Sequence, residues 1–129
     1  MSFKSEFEVA GKKYVVKHCS YDLSQEVDAT GRPSAITRGG RIRLTVESTG
    51  ETDLFEWMVN NFERKDGKIT FYKRDSDSKL KTVEFKEGYL VKFEENFEAD
   101  NPNPMTISFT ISARELSSGS GSHINQWVG

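Results

Sequence analysis

The sequence is poor in the side chains that most often carry out chemistry. Cys19 is the only cysteine among 129 residues, and His18 and His123 are the only histidines. A single cysteine excludes an internal disulfide and is typical of a reducing compartment. Adjacent residues of a strand face opposite ways, so His18 and Cys19 cannot form a nucleophile-and-base pair. Neither histidine has a thiol or carboxylate at ligand spacing, and the sequence predicts no catalytic residue, no metal and no cofactor.

Long apolar runs and an excess of one charge are also missing. No apolar run is long enough to insert into a membrane as a helix. Eighteen basic and twenty acidic side chains leave a net charge of −2, a balance that argues against nucleic acid as a partner. The first residues alternate charged and aromatic side chains and lack the apolar core of a secretory signal. We therefore expect a protein that does not use Sec-type export.

The strongest positive signal is the alternation of apolar and polar residues with a period of two. On one of the resulting segments, residues 14–23, Val15, Cys19, Tyr21 and Leu23 share a face. Such alternation, bounded by turn residues, predicts strands. The predicted strands are residues 3–9, 14–23, 41–47, 68–74, 80–86, 89–97 and 105–113. Gly88 is predicted to mark a bend, bulge or tight turn, and residues 75–78 a tight turn.

Residues 51–62 are predicted to form the one helix, with Thr52 or Asp53 as its cap. Residues 117–129 are rich in serine and glycine and predict a flexible C-terminal tail. The fold class that follows is mainly β: a small antiparallel β-barrel, built as two sheets and capped by one short α-helix, in a single domain of residues 1–129. Within the predicted helix of residues 51–62, the apolar residues at helical spacing are Leu54, Phe55, Met58, Val59 and Phe62.

Residues 26–40 interrupt the alternation with a long loop that is the best candidate for function. Loops of this length without regular structure are uncommon in compact domains. It places Val27, Ala29, Pro33, Ala35 and Ile36 among charged residues, which is more apolar surface than a solvated loop needs. Two interpretations stay open: a surface loop packed on its own barrel, or an arm that docks on a neighbouring subunit.

The order of these elements and several local stretches resemble the type VI secretion tube protein family, haemolysin-coregulated protein (Hcp, TssD). The resemblance runs over residues 2–116, nearly the whole chain, and no single motif would suffice for it. It is carried by residues 18–21 (HCSY), 25–33 (QEVDATGRP), 53–57 (DLFEW), 69–75 (ITFYKRD) and 103–106 (NPMT).

The resemblance implies a barrel protomer that forms a head-to-tail hexameric ring, and rings that stack into a hollow tube. It implies partners as well: further copies of the chain, sheath, spike and baseplate proteins, and effector proteins carried by the tube. Such a protein is cytoplasmic before firing and leaves the cell through the secretion apparatus. In the family the loop after the second strand reaches the adjacent ring, and here that role would fall to Glu26, Val27, Asp28, Thr30, Arg32, Pro33, Ile36 and Arg38.

Two other function classes remain as alternatives. A small barrel can enclose one apolar ligand, and Phe71, Phe85, Phe93 and Phe109 would then line a cavity rather than fill a core. A hydrolase site assembled from dispersed carboxylates is the third hypothesis, although no known motif supports it. We expect a structural protein and not an enzyme.

Overall fold

The computed structural model describes residues 4–73, 78–102 and 104–125. Within those residues the chain forms one helix and a set of antiparallel strands. The tight turn predicted at residues 75–78 falls largely on residues 74–77, outside the described part. The elements in chain order are β1 (Ser5–Val9), β2 (Lys12–Ser24), β3 (Arg38–Glu47), α1 (Asp53–Val59), β4 (Arg64–Tyr72), β5 (Lys79–Phe97), β6 (Met105–Ser118) and β7 (Gly121–Ile124).

The strands form one sheet that closes on itself. Their order is β3-β2-β1-β4-β5-β6-β7, and β3 also pairs with β6. This extra pairing runs from Arg41 opposite Ser112 to Glu47 opposite Thr106. It joins the two ends of the six-stranded part, so β1 to β6 enclose a barrel. Strand β7 pairs with β6 along the same edge as β3, over residues 115–118, where β3 has ended. The predicted antiparallel barrel with one short helix is confirmed.

Aromatic side chains fill the middle of this barrel. The ring of Phe7 lies 5.4 Å from Phe109, 5.9 Å from Tyr14 and 6.1 Å from Phe85, centroid to centroid. These separations fall in the range of roughly 4.5–7 Å that favours ring pairing. Phe85 and Phe109 are buried, and Phe71 and Phe93 pack against the same cluster. The four phenylalanines therefore form the core, and nothing in their packing favours the ligand-carrier hypothesis.

Strand β2 changes faces halfway along its length, which the alternation in sequence concealed. Its pairing with β3 shifts register between Val16 and His18. Because one extra residue in a strand turns all later side chains over, Tyr14 and Val16 point inward before the bulge, and Cys19 and Tyr21 after it. Val15 lies before this bulge and is exposed, and Leu23 is exposed after a second register shift between Tyr21 and Leu23. Two irregularities therefore split the face predicted from period two.

Helix α1 is shorter than predicted and presents a different face to the barrel. It ends at Val59 because Asn60 has an extended backbone, with φ −88° and ψ 95°. Leu54 and Trp57 are its buried side chains. The Trp57 indole donates a hydrogen bond to the Glu63 carbonyl at 2.9 Å, which fixes this orientation. Phe55, Val59 and Phe62 of the predicted apolar stripe consequently face solvent.

Two further predictions concern Gly88 and the C-terminal tail. Of the bend, bulge or tight turn predicted at Gly88, the structure shows a bulge: β5 continues through this residue, and its register with β4 shifts between Phe85 and Gly88. An added Cβ at Gly88 would lie 2.8 Å from Ile111 and 3.0 Å from Phe85, so the glycine also makes room for the core. The prediction of a flexible tail needs correction. Residues 117–125 of the predicted flexible tail form the end of β6, a two-residue turn and β7. A Gly-Ser pair between strands suits such a turn as well as a linker. Residues 126–129 lie outside the described part.

Asn125 fastens this C-terminal hairpin to the barrel. Its side-chain amide donates to the carbonyls of Ala113 at 2.9 Å and Gly39 at 3.1 Å, and its oxygen lies 3.0 Å from Nε2 of His123. Its backbone N–H donates to the Arg114 carbonyl at 2.7 Å. The hydrogen bonds join β7 to the start of β3, where the predicted contact loop ends.

Gly67 gives a test of how tightly the core is packed. An alanine Cβ at this position would lie 2.6 Å from both the Glu8 carbonyl oxygen and the Phe85 ring. We expect Gly67→Ala to lower the free energy of unfolding by about 2 kcal/mol, measured by urea denaturation. Gly121→Ala is the matched control, since its Cβ would meet its nearest neighbour at 3.7 Å. Equal stability of the two variants would contradict the packing described here.

Candidate assembly surfaces

The predicted contact loop is a small hairpin of its own. Residues 25–37, which we call the arm, connect β2 to β3. Val27 and Pro33 form an isolated antiparallel bridge. The Asp28 N–H donates to the Arg32 carbonyl at 2.8 Å, and the Ser34 N–H donates to the Glu26 carbonyl at 2.7 Å. The loop that looked irregular in sequence is therefore a paired, self-supporting structure. Its boundary also moves, because residues 38–40 belong to β3.

The tip of the arm is held by one carboxylate. Oδ1 of Asp28 accepts hydrogen bonds from the Thr30 N–H at 2.9 Å, the Thr30 hydroxyl at 2.7 Å and the Arg32 N–H at 3.2 Å. These donors, led by the Thr30 hydroxyl, lower the pKa of Asp28. Gly31 occupies the turn with φ +88°, a conformation that side chains disfavour. The tip is thus shaped by its own residues.

The arm projects into solvent with apolar groups uncovered. Every residue from 25 to 34 is exposed. Val27 and Ile36 are 61% and 73% exposed. The side-chain hydrogen bond nearest its base, from Gln25 Nε2 to the Ala35 carbonyl at 3.1 Å, also stays within the arm. This geometry favours the docking-arm interpretation over a loop packed on its own barrel.

Seven of the eight predicted contact residues lie in the arm, and the eighth, Arg38, begins β3 at its base. The structure brings Asp28, Thr30 and Arg32 together at the tip and Val27 against Pro33. Ile36 and Arg38 lie away from the tip, beside a groove of about 510 Å³ that also contains Arg41, Arg43 and Asp22. Among the described residues, the guanidinium groups of Arg32 and Arg38 have no ion-pair partner.

A second exposed apolar surface was missed in the sequence, because its residues share the helical spacing that is typical of a buried face. Phe55 and Val59 are one turn apart on the solvent side of α1, and Phe62 follows in the turn after the helix. Phe62 is 87% exposed and has a positive φ of 63°. We call these three residues the helix patch. The signal that could have revealed it is Trp57, since Leu54 and Trp57 at i and i+3 define a competing buried face.

The remaining chemistry-bearing residues are not brought together into a site. His18 is exposed and Cys19 packs against the core, as their adjacency in a strand predicted. In the part of the chain that the structure describes, no cluster of three metal-ligating side chains forms. Over the same residues, α1 is far too short to cross a bilayer, and no longer apolar helix is present.

Comparison with known proteins covers the whole chain. A family model described as Hemolysin coregulated protein Hcp (TssD) matches residues 1–128. The solved structure of Hcp1 from Flavobacterium johnsoniae is 57% identical, with a TM-score of 0.91 over 95% of this chain and 99% of that one. No curated protein sequence gives a significant match.

More distant structures share the fold at low identity. Hcp1 from Salmonella typhimurium is 8% identical with a TM-score of 0.78, over 96% of this chain and 95% of that one. A chain from the sheath–tube complex of an extracellular contractile injection system is 20% identical with a TM-score of 0.58, over 89% and 87% of the two chains. At such identities the likeness concerns the barrel architecture alone.

Cys19 provides a test of the inward face of β2. Burial raises the pKa of its thiol from an ordinary 9.0 to about 11. At pH 8 the folded protein should hold roughly a hundredfold less thiolate than the unfolded chain, and react with a thiol-specific disulfide reagent correspondingly slowly. Between pH 9 and 11 the unfolded chain loses this proton first, so stability should fall as the pH rises.

The control moves the thiol by one residue. In His18→Cys with Cys19→Ala the thiol lies on the exposed face, and it should react in the folded state at nearly the rate of the unfolded chain. Native Cys19 reacting as fast as this variant would contradict the inward assignment.

Asp28 provides a test of the arm's internal order. Asp28→Ala removes the acceptor of three hydrogen bonds, so the amides of Thr30 and Arg32 should exchange with solvent faster, while the melting temperature of the barrel stays unchanged.

Because the pKa of Asp28 is lowered, tip order should persist as the pH falls through the ordinary value of 3.8 and disappear below it. The Thr30 amide shift, followed by NMR, reports this midpoint. A midpoint at or above 3.8 would contradict the structure, and Asp28→Asn, which keeps an acceptor oxygen, serves as control.

Proposed function

The chain belongs to the haemolysin-coregulated protein (Hcp, TssD) family of type VI secretion tube proteins, and from this premise we propose that it is a tube subunit whose hexameric rings stack through the arm. The observation that carries the proposal is the arm itself. It is ordered by its own hydrogen bonds yet leaves Val27 and Ile36 in water. A preorganised apolar arm loses little conformational entropy when it docks, which favours binding to another surface.

The proposed contact gains strength from repetition. A contact that joins unlike surfaces of two copies closes into a ring or continues along an axis, according to its rotation. If each docked arm contributes about 1 kcal/mol net, the arms of a hexamer sum to about 6 kcal/mol, or about four decades in affinity. Single contacts of this size are weak enough to release when the rings separate. Stacking held by such contacts is expected to be cooperative and reversible.

Charge opposes uncontrolled stacking. The net charge of −2 per copy becomes about −12 in a hexamer, and like-charged rings repel over a distance that salt shortens to about 10 Å at 0.1 M. Rings should therefore stay dispersed at low salt and stack more readily as the ionic strength rises. Assembly in a cell would then depend on a template that brings rings together.

The proposed partners follow from this role. They are further copies of the chain, the sheath around the tube, the spike and baseplate at its end, and effector proteins carried with it. The proposed route is assembly in the cytoplasm and release through the secretion apparatus. The proposed function is structural, with no catalytic step.

The arm can be tested without disturbing the barrel. Val27→Ser together with Ile36→Ser should leave rings of about six copies by light scattering, since neither side chain belongs to the core. Electron micrographs of concentrated protein should show tubes for the unaltered chain and single rings for this variant. Leu80→Ser is the control, because it removes another exposed aliphatic group outside the arm. A monomeric unaltered chain would contradict the proposed rings, and tubes that persist in the arm variant would contradict the proposed role of the arm.

A further inference from the structure

The arm and helix α1 are connected to opposite ends of the same strand. Strand β3 has 10 residues and spans about 30 Å at about 3.3 Å per residue. The arm enters β3 at Arg38, and the chain leaves it after Glu47 for α1. Strand β2 repeats this arrangement: Ser24 pairs with Arg38 at the arm, while Lys12 binds Glu51 at 3.2 Å beside the helix.

The arm does not cover the helix patch of its own subunit. Val27 and Ile36 on the arm are exposed, and so are Phe55, Val59 and Phe62 of the helix patch. An arm that covers a helix patch would therefore come from another copy.

The helix patch has the features of an unfilled binding surface. A left-handed backbone costs a bulky residue about 1–2 kcal/mol, and Phe62 adopts one, with φ 63°, while burying almost none of its ring. Phe55 lies edge-on to Phe93, with centroids 5.8 Å apart, so the patch is continuous with the core. Backbone strain of this kind collects at functional positions.

The charges beside the two surfaces are complementary. Asp53 and Glu56 lie one turn apart on α1, next to the apolar side of the helix, and with Glu63 they line a pocket of about 360 Å³. Lys12 lies between Glu51 at 3.2 Å and Asp53 at 3.9 Å, and Lys65 pairs with Glu63 at 3.1 Å. Glu56 accepts a hydrogen bond from the Thr52 hydroxyl at 2.6 Å and has no ion-pair partner among the described residues.

The arm carries the matching groups. Val27 is exposed and pairs with Pro33, the residue after Arg32, and the Arg32 guanidinium has no ion-pair partner in the described part of the protomer. The Asp28 carboxylate is occupied by the tip, which leaves Glu26 as the arm's unengaged acid. The arm thus carries an exposed apolar group and a guanidinium without an ion-pair partner among the described residues, and the helix carries an exposed apolar patch and a carboxylate that likewise lacks one.

We propose that the helix patch of one copy is the receptor for the arm of a second copy, with Val27 packed on Phe55, Val59 and Phe62 and Arg32 paired with Glu56. The inference rests on the proposed function and identifies the surface that receives the arm. Because donor and receptor surfaces are connected to opposite ends of β3, the contact is head-to-tail and repeats along an axis. Two arms meeting each other would instead give a closed pair of rings.

Disulfide trapping tests this pairing directly. Val27→Cys and Val59→Cys are combined in a Cys19→Ala background, assembled into tubes and oxidised. A contact between successive rings should give covalent chains that extend past six copies on a denaturing gel, since each chain follows the tube from ring to ring. The matched control combines Val27→Cys with Leu80→Cys, which places an equally exposed thiol on β5, and it should give no ladder.

The other outcomes separate a failure of this inference from a failure of the proposed function. A ladder that stops at six copies would place the contact between the arm and the helix patch between neighbouring subunits of one ring. Cross-linking of Val59→Cys alone would mean that helix patches meet each other, and tubes without any ladder, or with one in the control alone, would place the arm elsewhere. All four results overturn the inference and leave the proposed tube subunit intact. Failure of the unaltered chain to form rings would instead refute the proposed function.

A charge exchange provides a second, independent readout. Glu56→Arg should reduce the fraction of protein sedimenting as tubes at least tenfold, because it brings two cations together at the contact. Arg32→Glu should do the same. The chain carrying both substitutions should regain tubes, whereas a double variant that stays unassembled while its rings remain intact would argue against the Arg32–Glu56 pair.

Discussion

The pairing of β3 with β6 is the constraint on which the rest of the molecule depends. Leu44 lies opposite Phe109 and Ile42 opposite Ile111, so the contact that closes the barrel also places aliphatic and aromatic groups at its centre. Closure removes the free edges that would otherwise recruit other strands. It also separates the roles of the surface, since a barrel without long open edges must assemble through loops, the helix and side chains on its wall. Among the residues that the structure describes, the arm and the helix patch both carry exposed apolar groups outside the closed sheet.

The same closure gives the protomer a direction. Strand β3 is fixed on both sides, by β2 and by β6, so its two ends cannot shift relative to each other. What enters at Arg38 and what leaves at Glu47 are therefore held a constant distance apart. Asn125 adds to this at the arm's base, where its amide bonds the Gly39 carbonyl. A rigid spacer between a protruding arm and an uncovered patch is what an axial repeat requires, because flexibility in the spacer would weaken each contact that depends on it.

Sequence reasoning succeeded where one physical rule dominated. Alternation located the strands, because a half-buried strand must alternate, and the density of apolar groups in residues 26–36 identified the arm. It failed where two rules competed. Phe55, Val59 and Phe62 have the same helical spacing as a buried stripe. The side of α1 that is covered is decided by Trp57, which is buried and donates a hydrogen bond to the Glu63 carbonyl. The bulge after Val16 and the hairpin at Gly119–Ser120 depend on pairing with distant strands, which local pattern does not contain. The type of fold was thus predictable, whereas half of the candidate interface was not.

The exposed apolar groups raise the question of how the isolated protomer avoids unspecific association. Scattered apolar side chains are ordinary on protein surfaces, but Phe62 combines exposure with backbone strain, and Ile36 stands on a projecting arm. Both are flanked by charge: Glu56 and Glu63 near the helix patch, and Arg32 and Arg38 along the arm. A charged border makes docking on an arbitrary apolar surface costly, since a guanidinium or carboxylate buried without a partner loses its hydration. Only a surface with the opposite charge in register removes that cost, so the borders favour a copy of this chain over other partners. Selectivity of the contact would then come from the charges and its strength from the apolar groups.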